Sequence, residues 1–263
     1  MKLWDKNNSV NEKIIEFTVG DDRLNDLYLI KYDVKASISH AKMLYRSNLL
    51  SEIECDKIIN ILNEILSQAE AGEIKIEKEF EDMHSKIEYI LTDKLGDIGK
   101  KIHTARSRND QVLVSIQLYL IDELNFIKTE VKSLFDLLIN LAKKNKNIIM
   151  PGYTHMRAAM PSSFGLWFSA YAEILIDDVI SLNSTIEIIN QNTLGSAAGY
   201  GTSFNIDRDF TTNDLNFKTL KYNSLACQIS RNKIEKNTFD TLGNIAFTLS
   251  KISMDICLYS GDE

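Results

Sequence analysis

Proline and glycine are scarce in this sequence. Its 263 residues hold 2 prolines and 11 glycines, too few breakers for many short strands and turns, so the chain is expected to be mainly helical. Cysteine is also sparse. Cys55, Cys227 and Cys257 are odd in number and far apart, which shows no disulfide framework or zinc spacing and suits a reducing compartment. No apolar run is long enough to cross a bilayer. The opening MKLWDKNNSV lacks the hydrophobic core of a secretion signal, so the expected location is cytoplasmic. A net basic balance is missing too, because the formal charge is -7. That argues against a dedicated binder of nucleic acid or anionic membrane. Any anionic ligand must then be held by a local cluster.

What is present is ordinary globular material, 44% hydrophobic and 25% charged, enough for one large domain or two smaller ones. Apolar residues recur every three or four positions from Leu113 to Leu141, from Phe164 to Ile189 and from Phe239 to Tyr259. These are three long helices with an apolar seam, the material of a bundle. Three stripes do not bury one another completely, so self-association is expected. Shorter helical patterns occupy about 22–48, 51–71 and 79–95. Ser51 and Glu54 form a capping box, Gly72 ends the second pattern, and Gly96 and Gly99 mark a break. The expected fold class is all-α: a small N-terminal helical domain over 1–102, then a central long-helix bundle over 103–263.

Polar residues cluster at three places. HTARSRNDQ, 103–111, has one apolar side chain, Ala105, and stands where a long helix begins near residue 110. Thr104, Ser107 or Asp110 can serve as its cap. Arg106 and Arg108 oppose the helix dipole there; arginine forks beside free backbone amides favour a carboxylate or phosphate ligand, which Asn109 can orient. PGYTHMRAAMP, 151–161, carries Thr154 and His155 on a loop between two long helices, and an imidazole suits proton transfer. LGSAAGYGT, 194–202, lacks the strand context of a dinucleotide fingerprint and is a turn that lets backbone approach a ligand, or a plain connection. Ser37 with His40, and Asp82 with His84, have no strong metal-ligand spacing. They are expected to be helix-surface polar residues, and no metal is expected.

DVKASISHAKML, EDMHSKIE, HTARSRNDQ, PGYTHM, LGSAAGYGTSF and IDRD, in this order along the chain, resemble the argininosuccinate lyase family of the fumarase/aspartase superfamily, along essentially the whole chain. The resemblance implies cofactor-free β-elimination of argininosuccinate to arginine and fumarate, as in arginine biosynthesis. It implies His155 as the proton-transferring residue and Ser37, Arg108, Asn109 and Thr154 as substrate-binding positions; Arg106, His84 and Ser196 are further candidates. It also implies a homotetramer with a central helical bundle, whose active sites take segments from three subunits, and no nucleic-acid or membrane partner. The competing expectations are a non-catalytic helical assembly on the same scaffold and another fumarate-releasing lyase.

The sequence departs from the family pattern in places. Arg157 stands where the family usually has glutamine, which is expected to alter substrate contacts. Thr193 and Asn205 stand where proline is common, which is expected to loosen loops. The family continues beyond GDE, 261–263, with a serine-bearing mobile loop, further substrate-binding residues and a C-terminal helical domain. A chain without them is expected to be inactive alone, and the ending in mid-pattern fits a fragment.

Overall fold

The computed structural model describes residues 12–261; the whole of MKLWDKNNSV and the last two residues lie outside them. The elements are α1 (Glu12–Val19), α2 (Asp22–Arg46), α3 (Glu52–Glu70), α4 (Met83–Leu95), α5 (Asp97–Lys100), a 3₁₀ turn (Lys101–His103), α6 (Arg108–Lys144), β1 (Ile149–Thr154), β2 (Arg157–Ser163), α7 (Phe164–Ile189), β3 (Gln191–Asn192), α8 (Arg208–Asp214), β4 (Thr219–Leu220), α9 (Ser224–Ile229) and α10 (Lys233–Tyr259). The all-α class holds. The three long apolar seams are α6, α7 and α10, and α6 alone, with 37 residues, is about 55 Å long. The segment expected as a loop at 151–161 is instead an antiparallel hairpin of β1 and β2. β3 and β4 form a minimal parallel pair.

Two compact units emerge. One comprises the chain up to Leu120 together with Asn190–Arg231; the other comprises Ile121–Ile189 and the chain from Asn232. The expected 1–102 segment lies inside the first unit, and the expected 103–263 segment is divided between the two.

In the first unit, α2 and α3 pack together, with α4 beside them. Val34, Ala41 and Leu44 of α2, Ile58, Leu62 and Ile65 of α3, and Met83, Ile87 and Leu91 of α4 form the core. α3 starts as its sequence demands. Ser51 Oγ accepts from the Glu54 amide and the Glu54 carboxylate accepts from the Ser51 amide, completing the capping box. Gly72 follows its end with φ +69°, a left-handed stop that glycine takes without penalty. α2 is different. Between Ile30 and Leu44 it is buried almost all round, and Asp33, Ser37, Ser39 and His40 are buried with the apolar residues. Polar groups inside a core need partners, and those partners make up most of the site described below.

In the second unit, Val131 and Leu138 of α6, Ala172 and Leu175 of α7, and Ile245 and Ile252 of α10 form the core. The helices are also joined by polar bonds: Thr248 Oγ1 donates to Asp178 Oδ2 at 2.7 Å, and Thr185 and Thr241 share a hydrogen bond of the same length. Gly165 opens α7 at a point where a Cβ would lie 2.7 Å from the Lys146 Cα. Only glycine lets α7 start this close to the chain entering the hairpin.

Two substitutions test this first core. Leu62→Ala, which opens a cavity among α2, α3 and α4, is expected to lower the unfolding free energy by roughly 2–5 kcal/mol. Ser51→Ala is expected to lower it by about 1 kcal/mol. Denaturant titration measures both, and the reverse ranking would place the core elsewhere.

Candidate active site

The start of α6 is built from its own sequence. After the 3₁₀ turn the chain passes through Ala105, a non-glycine residue at φ 57°, and enters the helix at Arg108. Of the three expected caps, Ser107 is the one used. Its hydroxyl accepts from the Asn109 amide at 3.3 Å, and its own amide donates to Asp110 Oδ1 at 2.9 Å. The other oxygen of Asp110 accepts from the amides of Gly195 and Ala197, each at 2.9 Å. One buried carboxylate thus joins HTARSRNDQ to LGSAAGYGT. Burial pushes the Asp110 carboxyl up, by more than the amides of Ser107 and Ala197 and the Arg106 guanidinium bring it down.

Around this junction lies a buried polar network. Asp33 accepts from Gln111 Nε2 at 3.2 Å and from Ser115 Oγ at 3.3 Å. His84 Nδ1 is 3.1 Å from Asp33 Oδ1, within ion-pair reach but not aligned as a hydrogen bond. Burial acts to raise the Asp33 carboxyl; His84, Arg106 and Gln111 outweigh it and hold it below its usual range. Arg106 donates to Ser37 Oγ at 2.8 Å, and its charge faces Asp33, Glu88 and Asp110. Arg108 is paired with Asp82 and has Nη2 3.8 Å from Glu88 Oε2. Much of the cationic charge expected at this helix start is therefore met by the protein's own carboxylates. Arg106, only 6% exposed, is directed into the protein.

The expectation that Ser37, His40 and His84 are helix-surface residues fails: all three are buried. Between Ile30 and Leu44 α2 is enclosed almost all round; there Ser37 accepts from Arg106 and His40 meets the Thr104 carbonyl, while His84, on α4, is buried against Asp33. Asp82 is the N-cap of α4, accepting from the Ser85 amide at 2.8 Å. His40 Nε2 lies 2.9 Å from the Thr104 carbonyl, so it carries the proton and donates. Burial, then the neighbouring Arg106 charge, depress the His40 imidazole to about 3 despite that bond.

Asn109 is exposed beside this network, with Arg231 donating to its carbonyl at 2.8 Å. Ser196 is buried in the glycine-rich turn; its Oγ accepts from Gln228 Nε2 at 3.3 Å. Thr193, expected to loosen this loop, ties it down instead, because its hydroxyl donates to Gln117 Oε1 at 2.7 Å. Arg208, from IDRD, braces the same loop by donating to the Leu194 carbonyl at 2.9 Å. Ser37, His84, Arg106, Arg108, Asn109 and Ser196 thus all belong to the first unit. Thr154, His155 and Arg157 belong to the hairpin of the second, where all three are exposed. His155 and Met156 have φ 56° and 61°, the two left-handed residues of a tight hairpin turn. Among the described residues, no group of three or more His, Cys, Asp or Glu side chains is arranged to hold a metal. Asp33, Gln111, Ser115, Glu88 and Arg231 were not foreseen. Asp33 had a usable signal, since it stands four and seven residues before Ser37 and His40 on one helix face; Arg231 had none.

The sign of the His40 effect sets a pH test. Its folded-state pKa is depressed from 6.5 to about 3, so the unfolded chain takes up the proton first. The contribution is complete above pH 6.5 and is lost as pH falls toward 3. The lowered carboxyls of Asp33, Asp82 and Glu88, with ordinary values of 3.8, 3.8 and 4.5, act below that window. His40→Gln keeps a donor for Thr104 but cannot take up a proton. Between pH 6.5 and 4.5 the wild type is expected to lose about 2–3 kcal/mol more stability than this variant; parallel stability curves would show that His40 is not the group.

Residues 15–263 match the family model described as lyase. The argininosuccinate lyase of Phocaeicola vulgatus is 50% identical over 262 residues, covering 100% of this chain and 59% of that protein. The argininosuccinate lyase of Thermotoga neapolitana is 44% identical over 262 residues, covering 100% of this chain and 66% of that one. The chain therefore spans about three-fifths of the curated relatives it matches. Among solved structures, EDDS lyase in complex with formate superposes with a TM-score of 0.82 at 24% identity, covering 89% of this chain and 46% of that chain. A fumarate lyase/delta crystallin from Brucella melitensis bound to cobalt gives 0.77 at 19% identity, covering 96% and 58%. These two show the fold, which is that of the fumarase/aspartase-type lyases. With the family model matching nearly its whole length, the chain belongs to the lyase family.

Proposed function

We propose that the protein is an argininosuccinate lyase, releasing fumarate and arginine by β-elimination without a cofactor. The observation that carries this reading is the helix start at Arg108–Asn109, in a chain 44–50% identical along its whole length to proteins of that name. The reaction removes a proton from the carbon beside a carboxylate, forms the carbon–carbon double bond and breaks the carbon–nitrogen bond. The leaving nitrogen departs with the electron pair and gains a proton. Charge builds on the carboxylate as the proton leaves, and fixed donors must meet it. Arg108 and Asn109 at the amino end of α6 are the proposed donors. Arg108 Nε and Nη2 are buried and make no hydrogen bond among the described residues, Nη2 lying 3.8 Å from Glu88 Oε2. Asn109 is held by Arg231 and remains exposed. His155 is the proposed proton carrier, and Ser37 and Thr154 the further substrate contacts. Arg106, which donates to Ser37 Oγ, His84 and Ser196 are the further candidate contacts, all in the first unit.

The same reading makes the protein a cytoplasmic homotetramer whose active sites combine residues of different copies. The exposed apolar faces support self-association: Phe126 and Leu137 on α6, Ile176 and Ile180 on α7, Phe239 and Phe247 on α10. Apolar area of that extent on three helices calls for cover. No helix of the described residues is long and apolar enough to cross a membrane.

The test is the full-length protein with argininosuccinate, followed by fumarate absorbance; no fumarate sinks the proposal. Within an active enzyme, His155→Asn is expected to lower kcat by on the order of 10²–10⁴-fold, and Asn109→Ala to raise KM more than it lowers kcat. A His155→Asn variant with full kcat would remove His155 from the mechanism.

A further inference from the structure

The hairpin that presents Thr154 and His155 has little burial of its own. Met150 is buried, but Tyr153, Thr154, His155, Met156 and Met160 are all exposed. Its register also slips between Gly152 and Tyr153, where Ala159 is the extra residue of β2. A bulged, exposed hairpin does not hold its tip to within the fraction of an ångström that proton transfer needs. Something outside the hairpin has to.

That support is visible on α7 and α10. Asp255 Oδ2 accepts from the Trp167 indole N–H at 3.0 Å and from the Tyr171 hydroxyl at 2.6 Å. Trp167 and Tyr171 are one turn apart on α7, so a single carboxylate on α10 fixes two neighbouring rings. Tyr259, one turn beyond Asp255, meets the Trp167 ring edge-on, with centroids 5.4 Å apart. Its other side meets Tyr153 edge-on at 6.3 Å, and its hydroxyl reaches toward the Pro151 carbonyl at 3.5 Å. Edge-to-face pairs at these separations are favourable and directional. Burial, then the Asp255 carboxylate, push the Tyr171 phenol well above its ordinary range; they raise Tyr259 as well. Both phenols therefore stay protonated near neutrality, and Tyr171 remains a donor to Asp255.

We propose that Asp255, acting through Trp167 and Tyr259 on Tyr153, is the positioning group for the Thr154–His155 turn. The chain of contact runs from a carboxylate on α10, across two rings, to a strand residue two positions before His155. The role in turnover rests on the lyase reading above; the mechanical link does not. None of these four side chains is placed on the substrate.

The experiment uses the full-length protein and three variants, Asp255→Ala, Tyr259→Leu and Tyr259→Phe. Amide hydrogen exchange reports the hairpin directly. Asp255→Ala and Tyr259→Leu are expected to speed exchange across 153–158 tenfold or more, with the middle of α7 within twofold of wild type. Tyr259→Phe, which keeps the ring, is expected to stay within threefold at both places. In fumarate release, the first two variants are expected to lower kcat at least tenfold with KM within threefold, and Tyr259→Phe to restore kcat. Unchanged exchange at 153–158 in either Asp255→Ala or Tyr259→Leu overturns the proposal. So does acceleration of α7 to the same extent, which marks general destabilisation, and so does faster hairpin exchange without loss of kcat. Should the unsubstituted protein release no fumarate, the lyase reading fails and the exchange measurements alone decide the anchor.

Discussion

One carboxylate links the two polar segments of the first unit. Asp110 accepts from Ser107 with one oxygen and from Gly195 and Ala197 with the other. Those amides converge because Gly195 and Ala197 both adopt left-handed backbone, at φ 83° and 52°. Successive amides turned this way form a concave anion site, and here the protein fills it with its own side chain. The start of α6, and with it Arg108 and Asn109, is thereby fixed to the loop that carries Ser196.

The surrounding charges follow from that constraint. Arg106 is enclosed, so its charge is balanced by Asp33, Glu88 and Asp110; Arg108 is balanced by Asp82 and Glu88. Ion pairs removed from water gain little net stability, yet losing one partner is severe because the other is stranded. Next to Arg106, His40 stays neutral and spends its one N–H on Thr104. The network acts as a rigid scaffold of mutually dependent groups, which keeps Arg108 and Asn109 in place.

Much of this architecture was legible in the sequence. The seams of α6, α7 and α10 repeat at helical spacing over many turns, and Ser51 with Glu54 is a local signal that needs no tertiary context. Ser107 was one of three named caps for α6. What was not legible depended on surroundings. Ser37 and His40 look like a solvated face until the stretch of α2 from Ile30 to Leu44 is found enclosed almost all round, and His84 does so until α4 is found to bury it against Asp33. The turn at His155 and Met156 contains neither glycine nor asparagine, so its left-handed backbone has no familiar signature, and Pro151 and Pro161 pointed to a loop. Asp33 with Gln111 and Asn109 with Arg231 are 78 and 122 residues apart, beyond any periodicity. Thr193 replaces an expected proline but exchanges rigidity of φ for a hydrogen bond to Gln117, which a comparison of residue types cannot show.

The chain leaves the first unit after Leu120 and returns to it at Asn190. A ribosome making this protein therefore delivers Asp110 long before Gly195, Ala197 or Arg208. Until the return segment emerges, the newly made α6 start carries a carboxylate with two of its three amide donors still unsynthesised. Domains whose pieces are separated in this way close late and pay a loop-closure entropy that contiguous ones avoid. The nascent first half is thus exposed to misfolding for as long as it takes to translate the intervening helices.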